Sequence, residues 1–475
     1  MPNPSIWSAT RRSEPRPGGD GDKRTPFEQD YDRLLFSTPV RRLADKTQVF
    51  PLEKNDSVRT RLTHSHEVSN LARSLGNRLL RTQSDCFGGD PEDQAAVPVI
   101  LATVGLAHDL GNPPFGHQGE AAIGRWFLAH KELFSEAGRD QTPEPFQPVP
   151  VQLQNDFLKF EGNAQTLRLL SRLQSTSGPT GLNLTAATLA ALMKYTVPSS
   201  LTAKDSAATK KFGFFGSEAD VVAWVREQTG LAAGQRHLLT WLMEACDDTA
   251  YSILDVEDAI KKELVSPEDL RAFVRNRFSA TPDGRAVVDQ LELDFRKADE
   301  AGADLARIKE IKASYLRTRL VERVLTGAAD EFLRDKTAIA NHTRSKPLLE
   351  CGTFESELIA ALKEFAKTHA YNSPSVLQIE LQGARVIDGL MNLMWDAISD
   401  RESFSDLRSR RRAPQAAYIY SRISGSYRWH FENASEHSGL PIRYREMQLL
   451  TDMISGMTDR FAVELHTELD AAVNG

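Results

Sequence analysis

From Leu101 onward the apolar residues of this chain mostly recur every three or four positions, and runs that alternate apolar with polar residues are few. That period is the signature of helices with one buried face, and it leaves little material for strands. Segments Ala187–Met193, Gln235–Leu264, Leu358–Ala366 and Tyr444–Leu469 all carry the pattern, so an all-α fold is expected. Two loops should interrupt it, a Pro-rich one at Gln141–Gln152 and a polar, lysine-containing one at Ser199–Ser217. With 475 residues there is room for one large domain or two ordinary ones. Residues 30–265 carry the chemical motifs, and 266–475 read as further helices packed on them. Residues 9–25 are charged and rich in glycine and proline, and residues 1–29 are read as a mobile arm.

Charge and cysteine content narrow the function. A formal net charge of -7 disfavours general binding to a phosphate backbone, so an anionic ligand must be held by local cations. Cys86, Cys246 and Cys351 are too widely spaced for a thiolate zinc site or a disulfide framework, which suits a reducing, cytoplasmic setting. There is no 18-residue apolar run, so no membrane span is expected.

Three segments point to a metal. At about 100° per residue, His64 falls on one stripe with Val68, Leu71, Leu75 and Leu79, whereas His66 lies about 200° away beside Asn70 and Arg73. His64 is therefore expected inside and His66 outside. The apolar run Leu101–Leu110 ends in His108-Asp109, a pair that would be costly to bury without a partner. Farther on, Asp247, Tyr251 and Asp255 stand at i, i+4 and i+8, interleaved with Cys246, Ala250 and Leu254; Asp248 is about 100° off this stripe and is the lesser candidate. Two imidazoles and two carboxylates suit Mn, Fe, Co or Mg with open coordination positions better than a structural zinc.

The ordered segments RTRLTHS, AHDLGNPPFGHQGE, FEGNAQ, MKY and EACDDTAYSILDVEDA, with TQVFP before them and DMISGMTDRFAVEL near the C-terminus, resemble the dGTP triphosphohydrolases of the HD superfamily. The resemblance implies an all-α HD core and, commonly, a hexamer. It implies metal ligation by His64, His108, Asp109 and Asp247, and a catalytic role at the α-phosphate for His117 and Glu120. It places deoxyribose contacts on Gln48, Tyr251 and Asp255, and phosphate contacts on Arg61, Asn163, Lys194 and Lys211. The family usually has Leu where His66 stands, a departure outside the ligand stripe.

Residue chemistry supports part of that set independently. His117 and Glu120, three apart, share a face if a helix begins near Gly116, and the preceding Asn112-Pro113-Pro114-Phe115-Gly116 would be a rigid turn that aims them. A carboxylate beside an imidazole fixes its tautomer and raises its pKa. The bland alternative is a helix-terminal histidine with a capping glutamate. Lys194 and Lys211 alone would be surface lysines, and the amides Asn163 and Gln165 alone a weak signal.

The expected activity is hydrolysis of a dNTP, dGTP first, to deoxynucleoside and triphosphate. The alternatives are a broad dNTPase switched on by a second, effector nucleotide, another HD nucleotidase or phosphodiesterase, and a nucleotide-sensing or single-stranded DNA-binding protein.

Overall fold

A capping box of Thr25 and Glu28, with Pro26 at the first helical position, starts α1 (Pro26–Leu35). A second box, Thr60 with Thr63, starts α2 (Arg61–Gln83), the helix of the first histidine. Asp90 caps α3 (Pro91–Ala107), which is buried on nearly every side beyond its first turn, as its uniformly apolar sequence requires. The structure is a computed structural model that describes residues 3–13, 22–53, 55–135, 146–174, 180–371, 374–433 and 439–474. Among these, the only β pairings are isolated bridges, so the all-α expectation holds.

Helices α2 and α3 cross closely because Gly105 has no side chain. A Cβ there would stand 2.7 Å from Ser69 Cα. The Ser69 hydroxyl donates to the Ala102 carbonyl at 2.8 Å across the same crossing. This contact brings the start of α2 and the end of α3 together, and with them His64 and His108.

Further along lie α4 (Gly116–Ala129), α5 (Gly162–Arg168) and α6 (Ala186–Leu192). Helix α7 (Leu238–Lys261) then runs through the interior. From Leu239 to Ile260 every residue of α7 is buried except Asp247, Asp248 and Tyr251, which together with Met243 face a cavity. Helices α8 (Leu305–Arg334), α9 (Phe354–Ala366), α10 (Pro374–Ser399), α11 (Ile442–Ser455) and α12 (Asp459–Asn474) complete the frame used below.

The later helices share one core with the earlier ones. Arg168 of α5 makes paired bonds to Asp452 of α11, at 2.7 Å each, and a third to Glu218 at 2.9 Å, all buried. Gln165, read as a candidate phosphate donor, instead donates to Asp452 at 3.0 Å and is fully buried.

Two sequence expectations need correction. The segment read as a mobile arm is docked over residues 5–11: Ala186 and Ala187 donate to the Thr10 and Ser8 carbonyls, and Arg11 pairs with the buried Asp30 at 2.6 Å. Trp7 is buried edge-on against His237. Burial pushes His237 down to about 4, so it is neutral; its Nδ1 accepts from Leu239 and its Nε2 donates to the Ile6 carbonyl at 3.0 Å. Polar composition concealed these few anchors. Residues 14–21 of that segment, and 141–145 of the Pro-rich loop, lie outside the described residues. The second correction is that Tyr444–Leu469 is two helices, α11 and α12, with Gly456–Thr458 between them. No described helix is long and apolar enough to cross a membrane.

Candidate metal centre and catalytic pocket

His64 of α2 is 1% exposed, and neither of its ring nitrogens has a hydrogen-bond partner. His108, just beyond α3, donates from Nδ1 to the Gly105 carbonyl at 2.7 Å, which leaves a bare Nε2 lone pair that is also buried and unpartnered. Orphaned nitrogens of this kind cost free energy unless something cationic meets them. Asp247 Oδ1 lies 3.4 Å from His64 Nε2 and 3.3 Å from His108 Nε2, and Asp109 Oδ1 lies 3.6 Å from His108 Nε2. Such spacings are those of neighbouring donors on one ion with bonds of roughly 2.0–2.3 Å. Ligand atoms of His64, His108 and Asp109 fall within 4.8 Å of one another. The four residues expected from the sequence therefore converge, and they fit a divalent cation. Asp248 points elsewhere, to Lys363 at 2.9 Å. His66 is exposed on the far side of α2.

The supports around these donors were not legible in the sequence. Asn112 Nδ2 donates to Asp109 Oδ1 at 2.7 Å, and the buried Lys46 holds the Asn112 carbonyl at 2.6 Å and the Ser455 carbonyl at 2.7 Å. Asp459, at the start of α12, accepts from Thr47 and from Phe115, each at 3.0 Å. The break between α11 and α12 thus supplies two anchors to the site.

Phe115 adopts a left-handed conformation (φ 62°), uncommon for a bulky residue. Its buried ring packs where Gly383 of α10 leaves room; a Cβ there would be 2.5 Å from Phe115 Cγ. This turn launches α4 at Gly116, which meets the condition for His117 and Glu120 to share one face. Glu120 Oε2 bonds His117 Nδ1 at 3.1 Å and Oε1 accepts the Gly162 N–H at 2.9 Å. Glu120 is nearly buried, whereas the His117 side chain is 78% exposed. The hydrogen bond to Glu120 raises His117 above the usual imidazole range. Burial opposes ionisation of Glu120, but the bond to His117 outweighs it and holds the carboxyl low.

His117, Asp109, Asp247 and Tyr251 face one cavity of about 500 Å³. Gln48, Asn163, Lys194 and Lys211 also line it. The Gln48 carbonyl oxygen is buried and unpartnered. Each candidate phosphate cation already has a carboxylate: Arg61 donates to Asp109 at 2.5 Å, Lys194 lies 3.3 Å from Asp247, and Lys211 lies 2.7 Å from Glu161. Asn163 likewise donates to Glu161 at 2.6 Å. Arg61 therefore also steadies Asp109, a contact the sequence reading did not assign.

Asp255 departs from expectation. It is fully buried and does not reach the cavity wall. Tyr371 stands there instead and donates to Asp255 Oδ2 at 2.7 Å. The Tyr371 ring lies 6.2 Å from that of Tyr251, so the two form adjacent walls. Burial pushes the Asp255 carboxyl well above its usual range. Tyr371 lies outside every motif and carried no sequence signal.

The HD domain model matches residues 61–148. A deoxyguanosinetriphosphate triphosphohydrolase-like protein of Listeria monocytogenes is 35% identical over 94% of this chain and 94% of its own length. A deoxyguanosinetriphosphate triphosphohydrolase of Klebsiella pneumoniae is 32% identical over 99% of this chain and 98% of its own length. The chain belongs to this deoxyguanosinetriphosphate triphosphohydrolase family of HD-domain hydrolases.

Proposed function

We propose that the protein hydrolyses deoxynucleoside triphosphates, dGTP foremost, to a deoxynucleoside and inorganic triphosphate. The observation that carries this reading is the meeting of two features in one cavity: the buried, unpartnered Nε2 of His108, with His64 beside it, and the Glu120-held His117. A divalent metal held by His64, His108, Asp109 and Asp247 would supply Lewis-acid polarisation at the α-phosphate.

The rest of the chemistry falls to the protein. Water adds to the α-phosphorus and the bond to the 5′-oxygen breaks. The departing 5′-oxygen needs a proton. His117 can donate it from Nε2, because Nδ1 is turned to Glu120 and the raised pKa keeps the ring protonated to higher pH. The imidazole regains a proton from the entering water, so atoms and charge balance. Lys194, Lys211 and Arg61 counter the phosphate charge by exchanging part of their present carboxylate contacts for phosphate oxygens.

Tyr251 and Tyr371 wall the sugar side, where a 2′-hydroxyl would press on a ring. The preference for guanine is supported by the names of the relatives and by Glu380, which lines the cavity beside Gln118. A carboxylate can accept from both the N1–H and the amino group of guanine.

The deciding experiment incubates the protein with each dNTP and rNTP plus Mn or Mg in ¹⁸O-water. Label in triphosphate, with dGTP consumed fastest, is the expected result. Release of dNMP and pyrophosphate would overturn the bond assignment, and equal rates on all dNTPs would replace dGTP preference with broad specificity.

A further inference from the structure

A second cavity, of about 720 Å³, shares His117, Glu120, Glu161 and Lys211 with the first. The two therefore meet at the side where the phosphate candidates stand. Beyond Lys211 the second cavity is a cleft edged by Arg125, Lys159, Lys204 and Lys210. All four are exposed, and none forms a salt bridge among the described residues. The cleft's two carboxylates sit at its inner end and are occupied, Glu120 by His117 and Gly162, Glu161 by Lys211 and Asn163.

The floor is apolar. Phe160 and Phe212 are buried beneath it, and Leu128 is 55% exposed at its edge. Charges of one sign over low-dielectric walls concentrate the field and raise the local concentration of counter-ions. In a chain of net charge -7, four exposed cations in one cleft, none in a salt bridge among the described residues, are a local reversal of the overall field. Two of them lie in the polar loop after Ser199, whose paired lysines divide their tasks: Lys211 faces both cavities, Lys210 only the cleft.

We propose that this cleft receives the inorganic triphosphate released from the active site and carries it to solvent. The proposal rests on the hydrolytic reading above. That reaction leaves a highly charged polyanion enclosed among Lys194, Lys211 and Arg61, whose own carboxylates reclaim them as it departs, and a further set of cations on the way out eases that departure. Lys210, Lys159, Lys204 and Arg125 supply that set on the outward side. A deoxynucleoside, uncharged, gains nothing from the cleft.

The test uses the full chain with Lys159, Lys204 and Lys210 all replaced by Ala, and a companion with all three replaced by Arg. Inorganic triphosphate is titrated calorimetrically into wild type and both variants, and dGTP turnover is measured with and without added triphosphate. The Ala variant should bind triphosphate about tenfold more weakly, as the loss of three exposed charges implies. Its KM for dGTP should stay within about twofold, and the Arg variant should behave as wild type. Unchanged triphosphate affinity would overturn the proposal. So would a KM that rises in step with the triphosphate constant, since the lysines would then serve substrate capture. Loss of binding to a thymidine oligonucleotide with triphosphate binding intact would overturn it too, in favour of a nucleic-acid face. Should the wild type bind triphosphate through these lysines yet release none from any dNTP, the hydrolytic reading falls while the anion site stands.

Discussion

Glu120 grips His117 from one side and the Gly162 backbone from the other: Oε2 lies 3.1 Å from His117 Nδ1, and Oε1 accepts the Gly162 N–H at 2.9 Å. The carboxylate is thereby a fixed mount that joins the start of α4 to the start of α5, and the imidazole carried on it has one nitrogen left for chemistry.

His117→Ala should lower kcat on the order of 100-fold or more, the usual contribution of a positioned proton donor. Metal content, read by elemental analysis, should remain that of the wild type. Wild-type turnover in the folded variant would remove His117 from the reaction.

Glu120→Gln tests the mount through pH. Glu120 raises the His117 pKa, so a protonated His117 persists to higher pH. Activity that requires that proton is lost as pH rises through the folded-state value. Removing the negative charge lowers that value, so the alkaline limb of kcat should move to lower pH. A limb that stays in place would mean another group sets it.

Replacing Asp247 with Ala should strip the metal, because its Oδ1 stands between the two imidazoles. Asn112→Ala, which removes only the bond to Asp109, should weaken metal affinity by about 10–100-fold. His66→Leu should leave metal content unchanged, since His66 is exposed on the opposite face. Metal titration of the three variants checks the series, and retention in Asp247→Ala would redirect attention to Asp248.

Asp452→Ala should destabilise the whole chain by about 3–5 kcal/mol, the cost of leaving a buried arginine short of its partner. Denaturant unfolding should show one transition moving as a unit, because Arg168 and Asp452 join the two halves of the sequence. Separate transitions for the two halves would contradict a shared core.

Tyr251→Ala should reduce discrimination between dGTP and GTP by roughly tenfold, in the range that pocket shape alone provides. The measurement is the ratio of kcat/KM values, and an unchanged ratio would leave Tyr371 as the ring that meets the sugar.

What the sequence determined by itself was periodic or local. Helical period placed His64 inward and His66 outward and put Asp247 and Tyr251 on one stripe of α7, though it also put Asp255 there, which is buried, and set aside Asp248, which is open. Those properties depend on backbone geometry within a few residues, which short-range pattern records. Tertiary structure alone decided that Tyr371 covers Asp255, that Arg61 is tied to Asp109, and that Lys46 from near the N-terminus and Asp459 from near the C-terminus brace the Asn112–Phe115 turn. It also docked the N-terminal segment through a neutral His237. Each of these joins residues tens to hundreds of positions apart, where a single buried donor finds its acceptor only once the helices have packed. No periodicity encodes such a meeting, because the free energy that selects it, the cost of an unsatisfied buried group, exists only after water has been excluded.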